Sequence, residues 1–142
     1  MKLNLRIYVG LGVLAVAALV LGACKSTPVV ETKEIASHRA NDLTISLLNG
    51  KGELAQGQNS FVIAFRNASD NKPVNVGTVN VSSSMSMPGM APMIAPMELD
   101  SAGETGKYAL KGDFGMSGAW KFEVRWDGPA GQGSTSFEAN VR

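Results

Sequence analysis

The sequence predicts an all-β protein: an immunoglobulin-like antiparallel β-sandwich of about seven strands, preceded by a signal segment. Three observations carry this prediction. Apolar and polar residues alternate over short runs, turn-forming residues separate those runs, and no helical period of useful length occurs outside the amino terminus. The alternating part, residues 41–142, also matches the roughly 100 residues of such a sandwich.

At the amino terminus, Lys2 and Arg6 precede an uncharged, mostly apolar run from Ile7 to Ala23, which ends on the small residues Gly22 and Ala23 before Cys24. A basic start, an apolar middle and a small-residue end are the layout of a secretory signal. A retained transmembrane anchor is the alternative, but the run is short against the ~20 residues of a span. Leu21-Gly22-Ala23-Cys24 resembles the lipobox of bacterial lipoproteins. The resemblance implies that residues 1–23 are removed and that Cys24, as the new first residue, carries acyl chains. The protein would then sit in the bacterial cell envelope, held to a membrane by lipid on Cys24. Lys25, rather than Asp, follows that cysteine and implies the periplasmic face of the outer membrane where two membranes are present.

Residues 24–40 read as the lipidated cysteine and a flexible tether, rich in Ser26, Thr27, Pro28 and the charged Glu31, Lys33, Glu34 and Arg39. His38, the single histidine, falls in this stretch and reads as solvated surface. The strands follow in order. Leu43, Ile45 and Leu47 share one face of the first, and Phe61, Ile63 and Phe65 one face of the second. Between Val74 and Val81 the apolar positions change phase at Gly77, which a glycine bulge would explain. A short strand is expected around Glu98, and another at Tyr108 and Leu110. In the next, Trp120, Phe122, Val124 and Trp126 oppose Lys121, Glu123 and Arg125. Thr135, Phe137, Ala139 and Val141 form the closing strand. Turns are expected at Asn49-Gly50, Asp70 to Pro73, Gly103, Gly112-Asp113 and Asp127 to Pro129. No internal repeat is present.

Thirteen Lys and Arg face twelve Asp and Glu in the whole chain; without residues 1–23, Lys2 and Arg6 are lost and the formal balance is minus one. Such a chain has no electrostatic footprint for nucleic acid. Cys24 is the only cysteine, and residues 41–142 contain no histidine. Disulfide staples, thiolate ligands and catalytic triads built on His or Cys are therefore excluded from the domain. Glu98 and Asp100 share a strand face but read as solvated charge. The chain is not expected to be an enzyme. Asn67-Ala68-Ser69 and Asn80-Val81-Ser82 match the glycosylation sequon but carry little weight in a chain with a lipobox.

The chemistry lies in SMSMPGMAPMIAPM, where Met85, Met87, Met90, Met93 and Met97 fall within thirteen residues broken by Pro88, Pro92 and Pro96. Their gaps fit neither a strand period nor a helix, so the segment reads as an ordered loop. A thioether is a soft, uncharged donor that needs no deprotonation and selects Cu(I) over hard cations. Methionine is also an adaptable filler of apolar surfaces. No Asp, Glu, Lys or Arg occurs from Pro73 through Met97, so the residues alone support two readings, a copper site and an apolar contact surface. Met116 lies in the turn feeding the Trp120 strand and would share one end of the sandwich with the loop. Trp120 itself reads as a core anchor.

Met85-Ser86-Met87-Pro88-Gly89-Met90, Gly106-Lys107-Tyr108 and Phe114-Gly115-Met116-Ser117-Gly118-Ala119-Trp120, in that order, resemble the YtkA-like domain, a bacterial envelope module of immunoglobulin-like fold. The resemblance covers most of residues 41–142. It implies copper handling beside metal-efflux components, with Met85, Met87, Met90 and Met116 as candidate ligands, Met93 as a spare and Met97 as the weakest candidate. The absence of histidine from the domain argues against a Cu(II) site. The leading expectation is a membrane-anchored lipoprotein that binds Cu(I) for buffering or for delivery to copper-efflux or oxidase-assembly partners. The alternative is a non-metal protein-interaction module using the uncharged Met/Pro loop.

Overall fold

In the computed structural model, residues 32–142 are described. They form nine strands: β1 (Lys33–Ala40), β2 (Leu43–Asn49), β3 (Gly57–Asn67), β4 (Thr78–Met85), β5 (Met93–Ala95), β6 (Met97–Ala102), β7 (Lys107–Phe114), β8 (Gly118–Gly128) and β9 (Gly131–Val141). The expected signal segment and Cys24 lie outside the described residues. One sheet has the order β1-β2-β3-β7-β6 and the other β5-β4-β8-β9, with every neighbouring pair antiparallel. The expected immunoglobulin-like β-sandwich is therefore present.

The alternating runs supply the inner faces. Ile45 and Leu47 of β2, Phe61, Ile63 and Phe65 of β3, and Trp120, Phe122, Val124 and Trp126 of β8 are all buried. Phe122 sits at the middle of this core: it meets Phe61 edge-on at 6.1 Å and stacks on Phe137 at 5.8 Å. Each buried aromatic ring contributes roughly 150–250 Å² of contact, so this cluster holds the two sheets together.

Two strands were not legible in the sequence. β1 occupies the end of the stretch read as a tether, so the sandwich begins before Asn41. Its register on β2 slips between Glu34 and Ala36, leaving Ile35 as an extra residue that breaks the two-residue period. β5 lies inside the methionine segment, between Pro92 and Pro96. Proline is tolerated there because β5 is the edge of its sheet. At Pro96 the chain leaves that sheet and continues as β6 at the edge of the other one.

Two turn readings are also corrected. Gly112 and Asp113 lie within β7 and are not a turn. No bulge occurs at Gly77; this glycine has φ 75° and precedes β4, whose first residue Thr78 pairs with Asp127. The change of phase is simply the start of a strand after irregular chain.

Candidate metal centre

The register of the two sheets collects chain ends at one pole. Met85 ends β4 and stands directly opposite Met93, which begins β5. Gly118 opens β8 opposite Val141, and Phe114 closes β7 opposite Gly57. The β7–β8 turn, carrying Met116, is thus at the same end of the sandwich as Met85 and Met93. All three methionines are half-buried and pack against the core.

The turn is held from two sides. Gln56 Nε2 donates to Gly115 O at 2.9 Å, and Trp120 Nε1 donates to Met116 O at 3.0 Å. Trp120 is fully buried and meets Phe114 edge-on at 5.2 Å, so it anchors the core as expected and also fixes the backbone of Met116. The loop from residue 54 is tied to the carboxyl end by bonds from Gln56 N to Arg142 O and from Arg142 N to Leu54 O. This gives Gln56 a firm base.

Three glycines make room for three methionines. A Cβ at Gly118 would stand 2.8 Å from Met85 Cε and 3.3 Å from its Sδ; one at Gly115 would stand 3.1 Å from Met93 Cε; one at Gly112 would stand 2.9 Å from Met97 Sδ. Sequence reasoning used these glycines only as turn signals or motif positions. Glycine inside or beside a strand marks a close approach, but not which side chain makes it.

The other candidates are placed differently. Met87 is half-buried in the loop, and Met90 is 66% exposed beyond the tight turn in which Met90 N donates to Met87 O. Met97, half-buried opposite Gly112 on β7, lies over that glycine beside Phe61. His38 stacks on Phe137 at 6.3 Å, on the seam where β1 and β9 end their sheets. That is the seam opposite β5 and β6, so the imidazole does not join the methionines.

Besides the three thioethers, this end of the sandwich carries the Gln56 side chain and the ion pair of Arg142 with Glu53 at 3.0 Å. Among the described residues no three His, Cys, Asp or Glu side chains gather, so a hard-cation or zinc-type ligand set is missing there. Glu104 has its carboxyl held below the usual range by the hydrogen bond and charge of Lys107, but this pair is at the start of β7, the far end of that strand. On the inner face of β4, one step below Met85, Ser83 is opposite Ala95 and Phe122. Its buried hydroxyl has no hydrogen-bond partner.

The YtkA-like family profile matches residues 37–125, more than half of the chain and all of the methionine segment and Met116 turn. The chain belongs to the YtkA-like family. No curated protein matches it. Among solved structures, this YtkA-like chain is similar to a DUF4426 family protein from Pseudomonas aeruginosa PAO1, with 17% identity, 75% of this chain and 96% of that one covered, and a TM-score of 0.48. It is also similar to a copper-bound variant of FetP from uropathogenic Escherichia coli strain F11, with 8% identity, coverage of 78% and 97%, and a TM-score of 0.42. A further FetP structure, "as isolated" after expression in the E. coli periplasm, has 10% identity, coverage of 75% and 93%, and a TM-score of 0.41.

Proposed function

We propose that this YtkA-like protein is a lipid-anchored envelope protein that binds Cu(I) through methionine thioethers and buffers it or passes it to copper-efflux or oxidase-assembly partners. The observation that carries the reading is the pairing of Met85 with Met93 across β4 and β5, at the same pole as the Met116 turn. Three half-buried thioethers on one uncharged stretch and one fixed turn suit a soft monovalent cation. Met87, half-buried in the same loop, and the exposed Met90 are further thioethers that an incoming ion could meet.

The test is a Cu(I) titration under reducing conditions of the wild type and of a variant with Met85, Met93 and Met116 all changed to leucine. Leucine keeps the apolar volume, so the fold should survive within about 1.5 kcal/mol per site while binding is lost. Because thioethers release no proton, wild-type affinity should change little between neutral and mildly acidic pH. Unchanged stoichiometry in the triple variant, or a steep acid loss in the wild type, would remove thioether ligation.

A second reading has its own observation. Ile94 and Leu99 are 74% and 51% exposed on the edge strands β5 and β6, and Met90 is 66% exposed in the loop before β5, as residues of a protein-contact surface would be. Copper tolerance that survives the triple leucine change favours this contact module.

A further inference from the structure

The glycines of the β7–β8 turn do more than permit a turn. Gly118 has φ 140°, so its backbone alone favours glycine; Gly115 is not among the positive-φ positions. Gly115 is also exposed, and its carbonyl is already bonded to Gln56. Neither conformation nor core packing requires glycine there. The one neighbour an added Cβ would meet is the terminal methyl of Met93, at 3.1 Å, which would have to yield by a few tenths of an ångström. That separation is tighter than ordinary carbon–carbon contact, near 3.5–4.0 Å. The same crowding, at 2.8 Å from Met85 Cε, occurs at Gly118. The two residues flank Met116 in sequence.

We infer that Gly115 and Gly118 are positioning residues, a pair of side-chain-free seats that draw the Met93 and Met85 thioethers against the turn carrying Met116 and so set the size of the ion the pole accepts. This rests on the Cu(I) reading above and deepens it. A methyl group at residue 115 pushes the end of Met93 away from that turn, widening the separation between its sulfur and Met116 without removing a donor. Ag(I) has the same charge and the same preference for sulfur as Cu(I) but a larger radius, so a widened site discriminates against it less.

The experiment compares wild type, Gly115→Ala and a control, Gly103→Ala, where an added Cβ has nothing within 4 Å. Cu(I) and Ag(I) affinities are measured by competition with a chelator, alongside Tm and the methyl NMR signals of labelled methionine. Gly115→Ala should lower Cu(I) affinity measurably, by less than the roughly 10–100-fold that loss of an outer-shell hydrogen-bond partner costs. Ag(I) affinity should fall less, Tm should hold, and the Met93 methyl signal should move in the metal-free protein; the control should match wild type throughout. A merely structural role would lower both affinities by one factor together with Tm, and that result overturns the inference. So does a Gly115→Ala protein indistinguishable from wild type. A wild type that binds neither ion overturns the Cu(I) reading, and the seats' role in ion size with it; wild-type binding beside an unaltered variant defeats the inference alone.

Discussion

Replacing Trp120 with phenylalanine tests whether the core and the candidate site share one support. The indole is fully buried against Phe114 and donates to Met116 O. Phenylalanine keeps an aromatic ring in place but gives up tens of Å² of burial, about 1 kcal/mol at ~25 cal/mol/Å². The unfilled space adds a cavity cost, and the Met116 carbonyl left without its donor adds about 1 kcal/mol. The sum is about 2–3 kcal/mol. For a domain of this size, each kcal/mol lowers Tm by roughly 4–8 °C, so a fall of at least ~8 °C is expected. Urea unfolding should show a lower midpoint at unchanged slope. The backbone amides of the turn around Met116 should exchange faster with solvent, and Cu(I) affinity should fall while stoichiometry is kept. A loss under about 1 kcal/mol with unaltered exchange in the turn would refute the claim that Trp120 fixes Met116.

Two further predictions rest on single residues. Ser83→Ala removes a buried hydroxyl that has no partner, so urea unfolding should show the variant to be as stable as wild type or up to about 1 kcal/mol more stable; a marked loss would mean that the hydroxyl is satisfied in solution. Cys24→Ala should abolish incorporation of labelled palmitate and release the protein from the membrane fraction, whereas continued membrane retention without label would mean that the amino-terminal segment stays as an anchor.

The inward-facing runs of β8 and β9 were legible because their period of two is unbroken, and those of β2 and β3 because large apolar side chains recur at every second residue between turn residues. β1 was hidden by one extra residue at Ile35, and β5 by the prolines on either side of it. The methionine cluster was visible as composition, and the order of the family motifs tied Met116 to it. What the sequence could not reveal was which methionines turn inward. Met85 and Met93 do so because β4 and β5 pair in a register that places them opposite each other, while Met90 follows a tight turn that carries it outward. The glycine seats were equally hidden, since a missing side chain acquires meaning only when its neighbour across space is known.

Copper K-edge X-ray absorption on the reduced, copper-loaded protein tests the central claim most directly. A Cu(I) edge with a first shell of sulfur alone, collapsing when Met85, Met93 and Met116 are leucine, is the predicted result. Nitrogen or oxygen donors in that shell, or a sulfur shell untouched by the three substitutions, would contradict it.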